Sequence, residues 1–228
     1  MPPARRPQAV AVDVVETLVS LDAVAVALED HGLGPDAGER LFTLLLRDGF
    51  ALAASGAYRP FRDVADGALA AVAPALAVSQ REVVLAAFSR LDAHPDARPA
   101  LERLRGAGLA VAALTNGAAA TTTALLARTG IDELVPRVIS IDDVQAWKPA
   151  PAPYLHAADV LGVEPRRLAM VAVHSWDVHG AHRAGLVTGW ASRREGVFPE
   201  VFDPPDVRGA DLVEVADRLV DLGDDDTL

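Results

Sequence analysis

The chain has 228 residues, 51% of them apolar and 23% charged, which supplies a buried core and excludes wholesale disorder. Asp and Glu outnumber Lys and Arg by 32 to 21, a formal net charge of −11, and with no basic stripe carrying interleaved aromatics nucleic acid is not an expected partner. The lack of cysteine excludes disulfides, thiolate metal sites and a cysteine nucleophile, and no apolar run is long enough to cross a bilayer.

The basic opening MPPARRPQ leads into a short strand-like run and not into a signal-peptide apolar region, so a cytoplasmic protein without membrane contact is expected. That run, at 9–12, stops at Asp13 and reads as a strand buried on both faces of a parallel sheet. From 21 to 91 the pattern is helical only, with helices predicted at 21–31, 38–54, 61–73 and 79–91 and glycines and prolines between them. Strands are then predicted at 109–114, 138–141, 168–173 and, more weakly, 188–191. Helices at 96–105, 119–128, 153–161 and 177–184 alternate with them, and a last amphipathic helix at 211–222 precedes an acidic tail of Asp224, Asp225 and Asp226, expected to fray. Strand alternating with helix implies right-handed βαβ units in an α/β, doubly wound parallel sheet. Residues 1–20 and 93–228 are read as that core, and 21–92 as an all-helical insert. Open α/β sheets bind ligands beyond the carboxyl ends of their strands. An insert leaving the end of the first strand is therefore expected to cover the site as a cap.

The polar residues at the predicted strand ends carry the chemistry. Asp13 ends the first strand, Thr115, Asn116 and Gly117 the second, Lys148 and Pro149 follow the third, and His174 to Asp177 end the fourth. A parallel sheet would gather a carboxylate, a hydroxyl and amide pair, a lysine and a second carboxylate at one rim.

In this order, with a helical insert after the first, these motifs resemble the haloacid dehalogenase-like hydrolase superfamily, and within it the type II, L-specific 2-haloacid dehalogenases. Asp13-Val14-Val15-Glu16-Thr17-Leu18 is similar to the D-A-Y-G-T-L of those dehalogenases, with an apolar residue at Val15 where related phosphatases have a second Asp. Thr115-Asn116-Gly117 is similar to their S-N-G. Lys148-Pro149-Ala150-Pro151 with Tyr154 matches their K-P-x-P segment and its tyrosine. The run from Val171 to Asp177 is similar to V-S-S-N-x-W-D, and Gly56-Ala57-Tyr58-Arg59-Pro60-Phe61 to a cap motif G-x-Y-x-x-F. Four positions depart from the pattern: Phe42 stands in place of a cap arginine, Glu16 of a glycine, Ala172 of a serine and His174 of an asparagine.

The resemblance implies hydrolytic dehalogenation of short 2-haloalkanoic acids, with Asp13 as a covalent nucleophile. Lys148 would keep Asp13 ionised, because a nearby cation lowers a carboxyl pKa. Asp177 would hold Lys148 or the hydrolytic water, Thr17 the nucleophile loop, and His174 could serve as a base. Thr115 and backbone near Val14 and Val15 would hold the anionic substrate, with Asn116, Phe61 and Tyr154 beside it and Arg47 as a stand-in for the missing arginine. A halide leaves without needing a proton, so an apolar Val15 suits its departure and not that of an alkoxide, which calls for a general acid. With Val15 and Val173 both apolar, no metal or other cofactor is expected. A Mg²⁺-dependent phosphatase, a hydrolase of another electrophile and a non-catalytic binding descendant remain as alternatives.

Several residues also have plainer readings. Asp177 suits a helix N-cap, Trp147, Trp176 and Tyr154 suit packing, and Arg193-Arg194 suits a solvated loop. The apolar run at 41–46 suits either a homodimer contact or the interior of the cap.

Overall fold

The computed structural model describes residues 5–223; the acidic tail at 224–226 lies outside them. Six strands, β1 (Ala9–Val12), β2 (Ala110–Thr115), β3 (Val138–Ser140), β4 (Leu168–Ala172), β5 (Val187–Ala191) and β6 (Val207–Gly209), form one sheet in the order β3-β2-β1-β4-β5-β6. Every pairing is parallel. The chain runs outward from β1 to β3, then crosses back to lay β4 on the other flank of β1. This reversal of direction beside β1 is where such sheets open a crevice. Val12 pairs with Ala113 on one side and Val171 on the other, so Asp13, one residue on, stands at the carboxyl rim.

Side chains alternate across the pleat, and both faces are apolar. Val10, Val12, Val111, Ala113 and Val171 share a cluster with Leu101 and Leu104 of α5 (Ala97–Gly106) and Val215 and Leu219 of α9 (Leu212–Val220). Ala9, Ala11, Ala112, Leu114 and Met170 pack instead with α7 (Pro151–Leu161) and α8 (Ser175–Arg183). Burial on both faces explains why the strands read as continuous apolar runs. α6 (Ala119–Thr129) lies beside β3 and ends at Gly130, whose φ of 70° gives the left-handed turn that glycine adopts without strain. Between β1 and α5 the described residues hold four helices: α1 (Asp22–Glu29), α2 (Ala37–Ala54), α3 (Phe61–Val72) and α4 (Val78–Ala87). No helix of the described residues is long and apolar enough to cross a membrane.

Three differences from the sequence expectations have local causes. β6 was not foreseen, because three residues with an exposed Arg208 in the middle carry no strand signal. α7 begins two residues early, on Pro151, where a missing N–H is harmless in the first turn. α8 begins at Ser175, so Asp177 is not its N-cap. His174 occupies that position, and the Asp177 side chain is free to turn inward.

Candidate active site

The parallel register delivers five polar side chains, Asp13, Thr17, Lys148, His174 and Asp177, to one buried point. The Lys148 ammonium donates to Asp13 Oδ1 at 2.8 Å, to Asp177 Oδ2 at 2.7 Å and to the Leu114 carbonyl at 3.1 Å. Its three donors are thereby used, and the side chain has no exposure. Thr17, four residues after Asp13, donates its hydroxyl to Asp13 Oδ2 at 2.7 Å and accepts from the Val173 amide at 3.2 Å. One hydroxyl thus ties the end of β1 to the end of β4. His174 Nδ1 stands 3.2 Å from the same Asp13 Oδ2, and its Nε2 is buried with no hydrogen-bond partner among the described residues.

Charges in this trio set one another. Burial by itself would raise the Asp13 carboxyl, but the Lys148 charge, helped by His174, overrides it and holds Asp13 well below the usual carboxylate range. Burial would lower Lys148, and Asp13 and Asp177 together hold it up instead. Asp177 is raised, first by burial and then by the Asp13 charge, against the pull of Lys148. Asp13 and Lys148 are therefore an ionised pair, and the Asp13 carboxylate is unprotonated.

A divalent ion would need oxygen ligands here. Val15 and Val173 offer none, and the cation between the two carboxylates is the Lys148 ammonium. The donor set does not suit Mg²⁺.

The remaining expected residues divide. Val14, Val15, Thr115 and Phe61 line a cavity beside the end of β1. Asn116 Oδ1 accepts from the Lys148 amide at 3.1 Å and so fixes the lysine loop. Tyr154 does not face the cavity. Fully buried, it donates its hydroxyl to Asp177 Oδ1 at 2.6 Å, a supporting role that corrects its placement against the substrate. Arg47 is also corrected: its side chain is 65% exposed and pairs with Asp48, because its position on α2 turns it to solvent. Phe42 is buried, with its ring 5.7 Å from that of His174. Trp176 stacks on His174 at 5.3 Å and lies 5.9 Å from the Lys148 ammonium.

Arg193 and Arg194 are not a solvated loop. Arg193 donates to the carbonyls of Glu16 and Thr17. Arg194 pairs with Glu16 and, at 2.8 Å, with Glu39 of α2, and its guanidinium lies 5.6 Å from the Phe42 ring. Glu16 has a φ of 65°, a region that costs a residue with a side chain. Its carboxylate compensates by accepting from the Leu21 amide at 2.7 Å and pairing with Arg194. The two arginines follow β5, on the same rim as the motifs, and that position is the sequence signal that would have found them.

Comparison with known proteins points to one family. A family model described as haloacid dehalogenase-like hydrolase matches residues 7–185. The (S)-2-haloacid dehalogenase 4A of Burkholderia cepacia is 32% identical over 62% of this chain, and the match covers 58% of that relative, less than two thirds of its length. (S)-2-haloacid dehalogenase 2 of Pseudomonas sp. (strain CBS-3) is 31% identical over 66% of this chain and 68% of its own. The structure of L-2-haloacid dehalogenase from Xanthobacter autotrophicus with chloropropionic acid covalently bound superposes with a TM-score of 0.84, at 27% identity over 94% of this chain and 98% of that one.

Proposed function

The chain belongs to the haloacid dehalogenase-like hydrolase family, and on that premise we propose that it hydrolyses 2-haloalkanoic acids to 2-hydroxy acids through an Asp13 ester. The observation that carries this reading is the buried Asp13–Lys148–Asp177 array, which keeps Asp13 ionised, beside an apolar Val15 that offers no general acid. A solved relative, an L-2-haloacid dehalogenase with chloropropionic acid covalently bound, supports it.

In the first step an Asp13 oxygen attacks the carbon bearing the halogen from the side opposite to it. A carbon–oxygen bond forms as the carbon–halogen bond breaks, and the halide departs with the bonding pair. Thr115 and backbone near Val14 and Val15 hold the substrate carboxylate, with Phe61 against its apolar part. In the second step His174 takes a proton from water, and the oxygen adds to the Asp13 carbonyl carbon. The tetrahedral intermediate expels the hydroxy acid as its alkoxide, His174 returns its proton to that alkoxide, and the Asp13 carboxyl releases the proton retained from the water to solvent, which restores the carboxylate. Nδ1, which stands 3.2 Å from Asp13 Oδ2, is the nitrogen placed for this exchange. Residues 21–92 act as the cap that excludes bulk water. Lys148 supplies the cation throughout, so turnover is independent of added metal.

A single turnover of 2-chloropropionate in ¹⁸O-water tests the reading. The label enters the Asp13 side chain, free chloride appears, and EDTA does not suppress it. Asp13→Asn lowers chloride release by about a thousandfold or more. Label found in the hydroxy acid alone, or chloride release at the wild-type rate from the variant, would overturn it.

A further inference from the structure

Beside the loop that follows Asp13 the described structure holds a partly open cavity of about 240 Å³. Its inner end is formed by Val14 and Thr115, which adjoin Asp13 and the second motif. Its walls are Val15, Phe61, Ala65, Leu85, Phe88 and Leu125, drawn from the β1 loop, α3, the end of α4 and α6. The charged side chains that reach it, Arg62 and Asp142, are exposed and engaged elsewhere, with Glu82 and Tyr58. The cavity therefore adjoins the residues that follow Asp13 and end β2, and lies between mainly apolar surfaces.

Its size decides what it suits. An apolar cavity of about 150 Å³ accommodates a benzene molecule. A haloacetate has no substituent to place there, and 2-chloropropionate only a methyl group. Apolar walls left facing a void or loosely held water forfeit the contacts a matching group would make.

We propose that the preferred substrates are 2-halo acids whose second carbon bears an apolar substituent of about six carbons, an aromatic ring or an equivalent chain, seated between Phe61, Phe88 and Leu125. This rests on the dehalogenase reading above and extends it to the substrate class.

The test compares 2-bromopropionate with 2-bromo-3-phenylpropanoate, which share a leaving group and a reaction centre. Bromide release from the phenyl compound shows the higher kcat/KM, by about tenfold or more. Ala86→Phe and Thr121→Phe, at exposed rim positions, fill the cavity without disturbing the fold. Each lowers kcat/KM for the phenyl compound by about tenfold and leaves 2-bromopropionate within about twofold. Binding of halogen-free 3-phenylpropanoate and propionate, measured by calorimetry, reads the cavity apart from the chemistry, and the phenyl acid binds more tightly by about tenfold. Faster turnover of 2-bromopropionate, or equal losses for both substrates in the variants, overturns the substrate class while leaving dehalogenation standing. No bromide from either compound overturns dehalogenation, and equal binding of the two halogen-free acids overturns the cavity assignment whatever the chemistry.

Discussion

Lys148 is a fully buried ammonium whose three donors all meet oxygen, and removing it would leave Asp13 and Asp177 as uncompensated buried carboxylates. Such a loss costs about 3–5 kcal/mol. In the intact array Asp13 lies below its ordinary value of 3.8, so its ionised, reactive form persists throughout the pH range above that value. In Lys148→Met the largest opposing influence, burial, acts without its main counterweight and raises the Asp13 carboxyl. The expected outcome is that the first-step rate, read as a halide burst, gains an acid limb displaced upward, whereas wild type stays flat above about pH 5. An acid limb in the same place for both proteins would contradict this. Asp13, Thr17, Lys148 and Asp177 were legible because each follows or ends an apolar run. Tyr154 and Arg193 were not. A tyrosine on a buried helix face looks like packing until its hydroxyl partner is known. The partners of Arg193 are main-chain carbonyls of Glu16 and Thr17, which leave no trace in sequence.

Among the elements, α2 shows how a helix is seated by what it omits. A Cβ at Gly49 would lie 2.4 Å from the Trp147 ring, so the helix approaches the tryptophan to a distance only glycine permits. Trp147 is in turn fixed by its indole N–H, which donates to the Arg59 carbonyl at 2.9 Å, and by stacking with Phe61 at 6.0 Å. Gly49→Ala is expected to destabilise the protein by about 1–3 kcal/mol through overpacking, although alanine is the better helix former. Urea unfolding of the purified variant measures it, and an increase in stability would refute the packing argument. Element type was legible wherever the apolar runs were long. Boundaries slipped where a proline opened α7 or where His174, which makes no side-chain cap bond, stood at the start of α8. At β6 the signal was absent, since strand identity there comes from pairing with β5.

For the molecule as a whole, one apolar cluster joins Leu45 and Leu69 of the helices after β1 to Leu101, Val12 and Val171 of the sheet and its cover. Within the run at 41–46, Leu41 and Leu45 are buried and Leu44 and Leu46, half-buried, pack against that cluster, so the run contributes to the interior. Helices and sheet are expected to unfold in one cooperative step, with Leu45→Ala and Leu101→Ala each lowering stability by about 2–5 kcal/mol. Two separated transitions in denaturant, with each variant moving only one, would show independent units. The α/β class was legible at this scale because its rhythm is written in the alternation of apolar runs. The closure of the helices onto the sheet was not, since the same leucines serve an interior or an interface equally well. The buried array at the rim has a consequence for the order of events. Before reaction its carboxylates outnumber its ammonium, a field that discourages an arriving anion. Once Asp13 is esterified, that excess vanishes, and the half-processed acid occupies friendlier ground than the free one did. On the proposed mechanism released bromide should accordingly inhibit chiefly by meeting the esterified enzyme, giving a pattern closer to uncompetitive than to competitive.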